Sequence, residues 1–544
     1  MRKTSLGAIL ITAVAAGSVV RAQSDFNGDR FKAHVTFLAD DVLEGREAGT
    51  RGHEIAARYI ASQFALLGVR PGATGAGYFE QVNLQEARLT GASPTLTLTG
   101  PRGTQMLKQR EAVMIEGSIA GGPVRLNAPL VFVGYGMKDA VVGFDDYEGL
   151  DVRGKIAVVL SGSPKNMDSE VGAHLKSEQN RVAAEHGAVG VIVVQTHATS
   201  AVFTWDQVIQ FRSDPLTTWV RSDGTPFDPA YGMKASVSIK PSAAAVLFDG
   251  SPVTLDQVLS EADKPGGRPK GFPLKSTAEI DVAMKMRRYS SPEVVGMIEG
   301  ADPGLKDEFV VLMAHADHIG MTAGGAGDRI NNGALDNAAG VATLLEVARA
   351  FASTAQRPRR SLLFVANTAE EKGLLGAEFF AHYPTIPIER ITAAIDLDMP
   401  MLLYDFTDVV AFGASHSTIA DAFRQAGAAM GVKLSPDPMP EQAIFVRSDH
   451  YAMVKAGVPA VMLATGMANG GQAAWTKFLG HDYHKPSDDL SQPINWNSAA
   501  KFTELNYRVV RTLADSQTRP QWYAHDYFGD LYAPKAPKTE KPDR

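Results

Sequence analysis

The chain of 544 residues contains no cysteine. That absence removes disulfides, thiolate zinc sites, iron–sulfur clusters and cysteine nucleophiles, so any metal must be held by His, Asp and Glu. Basic charge is nowhere gathered into a run: 53 Lys and Arg face 60 Asp and Glu, a formal charge of −7. A nucleic-acid backbone would find no electrostatic footprint here, which argues against such a partner. Long apolar stretches are missing beyond residue 20, so no later segment reads as a membrane span. What is present is ordinary: 45 % apolar and 21 % charged residues describe a folded globular protein, and the length asks for two or three domains.

Arg2 and Lys3 precede an uncharged stretch from Leu6 to Val20 that ends in Val20-Arg21-Ala22. A basic start, a short apolar middle and a small-x-small end describe a signal peptide, and about fifteen residues fall short of the roughly 20 that span a bilayer. Residues 1–22 are therefore expected to be cleaved and the protein exported, periplasmic or secreted. Loss of Arg2, Lys3 and Arg21 takes the formal charge to −10.

Phe31, Val35 and Leu38, then Ile55, Tyr59, Phe64 and Leu67, have helical spacing, with Gly68 and Pro71 as a stop. The chain then changes character. Residues 129–134 and 155–160 read as buried strands, and Gly187 closes a helix ahead of a strand at 188–194. Breakers at 265–269 and 271–273 mark an exit. These signals predict a mixed unit over residues 121–284, lying between residues 23–120 and 285–520. Residues 521–544, with Pro534, Pro537 and Pro542 among lysines, read as a solvated tail. In the second part strands alternate with helices. Strands at 309–313, 361–365, 391–397, 409–412 and 459–463 are interleaved with a helix through Val341, Leu344, Leu345, Ala348 and Phe351. That alternation predicts an α/β fold whose largely parallel sheet is covered on both faces, with ligands at the carboxyl ends of its strands.

Polar residues stand where those strands stop. The first leads into His315, Asp317 and His318, the second into Glu370 and Glu371, and the third into Asp398. Asp336 opens the helix through Val341, where the helix dipole favours a carboxylate. Acids crowded at one edge repel and raise one another's pKa unless a cation sits among them, and a metal resolves the conflict. Each piece alone is weak: His-x-Asp is commonly a surface pair, Glu-Glu a solvated face, and His484 a loop histidine. Their combination is more specific.

The order His-x-Asp, Asp-Asn-x-x-Gly, Glu-Glu, Asp-Met and Tyr-His-x-x-x-Asp closely resembles the co-catalytic zinc exopeptidases of metallopeptidase family 28. The likeness begins at Leu43-Glu-Gly-Arg46 and Gly49-Thr-Arg-Gly52, resumes at 313–320, 333–340 and 368–376, and ends with Arg447-Ser-Asp-His450, Gly457-Val-Pro459 and 482–488. Between them Val133-Gly-Tyr-Gly136, 146–151 and 187–190 resemble a protease-associated (PA) domain. The resemblance implies a three-layer α/β/α sandwich with an inserted mixed α+β PA domain, two zinc ions and peptide substrates. It implies one zinc on His315 and Glu371, the other on Asp398 and His484, and Asp336 bridging them. Glu370 would be the general base acting on a hydroxide shared by the metals, Asp317 would orient His315, and Arg447, Asp449, His450 and Tyr483 would edge the substrate pocket. His318 is left open. The chain departs from the family where Pro400-Met401 follows Asp398-Met399, and in the long Gly-rich loop from Gly320 to Gly333.

Other catalytic signatures are incomplete. His53-Glu54 begins a zinc-helix pattern that Ala57 ends, and Ser415 lies in Gly413-Ala-Ser-His-Ser417, which lacks the last glycine of a nucleophile elbow. The first expectation is an exported dizinc exopeptidase, an aminopeptidase. A carboxypeptidase or dipeptidase of the same family is the alternative, with a glutaminyl cyclase or a non-catalytic binding protein further off.

Overall fold

A computed structural model describes residues 26–324 and 327–542; the expected signal peptide lies outside them. The strands Phe309–His315, Ser361–Asn367, Ile391–Asp396 and Ala460–Thr465 are buried at every position. A strand apolar on both faces is hidden only in the middle of a sheet with helices on each side. These four lie side by side and parallel, in the spatial order Ser361–Asn367, Phe309–His315, Ile391–Asp396, Ala460–Thr465. Asp408–Phe412 continues the sheet antiparallel on one side and Phe272–Ile298 on the other. Helices Ala339–Ser353, Trp496–Asp515 and Gly28–Leu38 pack together, and Leu375–His382 packs on His450–Lys455, which lies on the strands. The result is a three-layer α/β/α sandwich.

The inserted unit has its own parallel core: Gly122–Phe132, Ile156–Leu160, Gly190–Val194 and Ala235–Ile239, with Val113–Glu116 antiparallel at the edge. Its boundaries differ from those expected. The strand Phe272–Ile298 pairs with Gly122–Phe132 through its first part and with Ser361–Asn367 through its last, so an edge at 284 falls inside one continuous strand. Thr95–Gly100 and Val113–Glu116, assigned from sequence to the larger domain, pair with strands of this region instead. Turn signals mark where a strand starts; they do not say which sheet it joins.

The C-terminal segment is not a solvated tail. Trp522–Tyr523 pairs with Lys538–Thr539 around the helix Tyr527–Tyr532, and Trp522, Tyr523 and Phe528 are buried. Prolines and lysines dominate the pattern, but burying a large apolar side chain such as Phe528 stabilises by roughly 1.5–3 kcal/mol, enough to anchor a short segment. Phe528 and Tyr527 lie 6.0 and 5.9 Å from the His174 ring of the inserted unit. Among the described residues no helix is long and apolar enough to cross a membrane.

Candidate metal centre and active site

The site forms where the parallel strands end. His315 is the last residue of its strand, and Glu370, Glu371 and Asp398 follow the ends of the two strands beside it. Asp336 lies in the turn Ala334–Ala338 that enters the helix Ala339–Ser353. The Asp488 carboxylate accepts the N–H groups of Leu335 and Asp336 at 2.9 and 3.0 Å and holds that turn. Asn337 ties it to the neighbouring strand end, donating to the Leu397 carbonyl at 2.9 Å. Gly340 permits this contact, because a Cβ there would stand 1.9 Å from the same carbonyl oxygen.

His315 Nε2 is 3.1 Å from Asp398 Oδ1 and 3.4 Å from Asp336 Oδ1. His484 Nε2 is 3.1 Å from Glu371 Oε2 and 3.4 Å from Asp336 Oδ2. Donors placed roughly 2.0–2.1 Å from a tetrahedral zinc are separated by about 3.3 Å, so these hydrogen-bonded spacings also fit atoms that share an ion. One donor atom each from His315, Asp336 and Glu371 also fit within 4.8 Å of one another, a looser grouping. The shorter contacts put His315 with Asp398 and His484 with Glu371, whereas the looser grouping keeps His315 with Glu371, the pairing expected from sequence. The His315 strand lies between the other two, so sheet adjacency leaves both carboxylates available. The loop past Asn367, with Ala369 at φ 56°, sets Glu371 beside His484 and His318.

The charges explain what the cluster demands. Burial alone would lower His315, but Asp398 and Glu370 hold it well above its usual value. His484 rises to about 10 against burial, through Glu371 and Asp336. Asp336 lies well below the carboxylate range in spite of burial, because His315 and His484 bond it. Glu371 falls to about 2, burial and Asp336 being outweighed by His484 and His318. Such a set stabilises positive charge at its centre. Imidazole and carboxylate donors without sulfur fit zinc.

Glu370 is half-buried beside these groups, and its backbone N–H donates to Asp317 Oδ1 at 3.2 Å. Burial pushes its carboxyl well up; His315 opposes, while Glu371 and Asp398 add to the rise. Asp317 itself is raised to about 6 by burial. Its expected role needs correction: His315 Nδ1 is 3.2 Å from the Asp317 backbone carbonyl and 4.0 Å from its carboxylate. The carbonyl orients the imidazole. The carboxylate holds the Glu370 loop.

The four residues expected at the substrate pocket divide. Arg447 is exposed, and Tyr483 stacks on His484 with ring centres 3.8 Å apart. Asp449 and His450 are fully buried. Asn367 donates to Asp449 at 2.6 Å, and the His450 N–H donates to Asp396 at 3.2 Å. They lie beneath the site because they open a helix that packs into the core, so they do not edge the pocket. Three further contributors carry no assigned role in the sequence reading. His318 Nδ1 is 2.6 Å from Glu371 Oε1. The Ser448 hydroxyl sits between Asp396 and Asp398 at 2.6 and 2.7 Å. Arg46 lies below the ligand loops. His318 and Arg46 stood inside recognisable motifs; Ser448 had no signal of its own beyond its neighbours.

A buried set of imidazoles and carboxylates on the carboxyl edge of a parallel sheet is the donor set of a metalloprotein. Comparison finds that residues 293–510 match Peptidase family M28 and that residues 126–220, ahead of them, match the PA domain. It is 33 % identical over 142 residues to aminopeptidase NAALADL1 of Mus musculus, an alignment covering 25 % of this chain and 17 % of the mouse protein. With aminopeptidase Y of Saccharomyces cerevisiae it shares 27 % over 293 residues, 50 % of this chain and 51 % of the yeast protein. The chain thus spans about half or less of the length of these relatives. Among solved structures, the aminopeptidase from Aneurinibacillus sp. strain AM-1 superposes with a TM-score of 0.52 at 21 % identity, covering 91 % of this chain and 95 % of that one, a likeness of fold.

Proposed function

We propose that this protein is a zinc-dependent exopeptidase, an aminopeptidase that works with two ions and hydrolyses the peptide bond next to a free amino end. The observation that carries this reading is Asp336, whose two oxygens face two separate His–carboxylate pairs beside Glu370. In it, His315 and Asp398 would hold one ion and His484 and Glu371 the other, with Asp336 available to both. Zinc, when bound, supplies Lewis acidity to the scissile carbonyl and to water. Glu370 takes the proton of the attacking water and passes it to the leaving amine. Burial raises its carboxyl, which makes the carboxylate form a stronger base. Asp317 steadies Glu370 through the backbone bond. Arg447 and Tyr483 border the space open to a peptide. Residues 1–22 support export, periplasmic or secreted, which fractionation of cells expressing chains with and without them tests.

The activity is tested by dialysis against chelator, return of zinc, and assay on amino-acid amides and on N-blocked peptides with a free carboxylate. Zinc-dependent release from the amides, abolished in Glu370→Gln, is the expected result. Cleavage confined to the blocked peptides makes the protein a carboxypeptidase. Zinc uptake without turnover of either panel makes it a binding protein.

A further inference from the structure

The short turn Asp41–Arg46 holds three consecutive residues of positive φ: Glu44 at 48°, Gly45 at 71° and Arg46 at 51°. Left-handed backbone at a non-glycine residue is strained and persists only where the surroundings impose it. This turn delivers Arg46 to the underside of the metal centre, where the residue is 1 % exposed. Among the described residues no carboxylate bonds its guanidinium. It donates to four backbone carbonyls: Nε to Ala316 at 3.1 Å, Nη1 to Asn332 at 2.5 Å and to Leu38, and Nη2 to Gly333 at 3.1 Å.

Three of those carbonyls belong to the loops that present ligands. Ala316 follows His315, and Asn332 and Gly333 lead into the turn of Asp336. The backbone of the same turn repeats the grip, since the N–H groups of His318 and Gly320 donate to the carbonyls of Arg46 and Gly45 at 3.3 and 3.1 Å. Glu47 pairs with Lys372, the neighbour of Glu371, at 2.7 Å. A methyl group on Gly45 would meet the carbonyl oxygens of Gly320 and Asn331 at 2.5 and 2.6 Å. One N-terminal segment thus touches three ligand-bearing loops without offering a ligand itself.

We propose that Arg46 is a positioning residue whose planar fork holds the His315 and Asp336 loops at the separation zinc binding requires; this rests on the metal-site reading above for the identity of the ion. A lysine keeps the charge but not the fork, so it separates the two ways the residue can act.

The test is zinc affinity without substrate, measured by competition with a chromophoric chelator for the wild type, Arg46→Lys and Arg46→Met. Both variants are expected to lose about ten- to a hundredfold in affinity, the range for residues that orient ligands, with no rescue by lysine. Wild-type affinity in Arg46→Lys overturns the fork. Should the variants not fold, hydrogen exchange of the wild type with and without zinc decides: protection gained on adding zinc is expected to reach residues 38–47. Protection confined to the ligand loops overturns the proposal. A wild type that takes up no zinc overturns this proposal together with the metal-site reading, whereas zinc uptake with unchanged Arg46→Lys affinity overturns this proposal alone.

Discussion

In the inserted unit the parallel strands Ile156–Leu160, Gly190–Val194 and Ala235–Ile239 run out into Ser161, Gln195 and Lys240. In the larger unit, where residues 293–510 match Peptidase family M28, Phe309–His315, Ser361–Asn367 and Ile391–Asp396 run out into His315, Glu370 and Asp398. The strands are alike, mostly or wholly buried and parallel. Chemistry resides in the few residues after each, which explains why one sheet edge gathers a metal donor set and the other does not.

The two regions also use buried histidine differently. His315 and His484 sit among carboxylates that suit a metal. Where the units meet, His416 places Nδ1 at 2.6 Å from Asp526 of the C-terminal segment and Nε2 at 2.8 Å from Glu170 of the inserted unit. Both ring nitrogens donate only in the imidazolium. His416 is accordingly raised to about 9, burial opposing and the bonds to Asp526 and Glu170 prevailing. There a proton serves as the counter-charge.

The sharpest break in this contrast is Glu370→Gln, which should lower turnover by about 10²–10⁴-fold while leaving zinc uptake intact, as read by steady-state kinetics and metal analysis of the same preparation. Next comes the pairing. Asp398→Asn and His315→Ala should each reduce zinc from about two to about one equivalent, and the double variant within that pair should be no worse than either alone, whereas combining Asp398→Asn with Glu371→Gln should remove both. Zinc loss that follows the pairing His315 with Glu371 would contradict the geometry.

At the junction, the folded His416 value of about 9 lies above the unfolded value near 6.5, so its contribution is complete below about pH 6.5 and is lost as pH rises through about 9. Relative to His416→Gln, the wild type should be more stable by about 3 kcal/mol at pH 6, and this advantage should have faded by pH 10. Urea unfolding at the two pH values measures it; a difference that does not change with pH removes the imidazolium from the account. The smallest effect is expected at the inserted sheet's edge, where Ser161→Ala should leave zinc affinity and turnover within about twofold of wild type.

The sequence by itself determined the alternation of strands and helices, the presence of a second unit, and which imidazoles and carboxylates stand at strand ends. Those are local properties: burial on both strand faces demands continuous apolar runs, and the side chains that follow a run are read directly after it. Only the tertiary structure decided that Asp398 partners His315, that the Asp317 carbonyl and not its carboxylate faces that ring, and that Asp449 and His450 lie under the pocket. It also decided that Phe272–Ile298 joins both units and that the aromatic C-terminal segment is docked. Each of these depends on distances between segments far apart in the chain, which are set by sheet order and by loops such as the one through the left-handed Ala369.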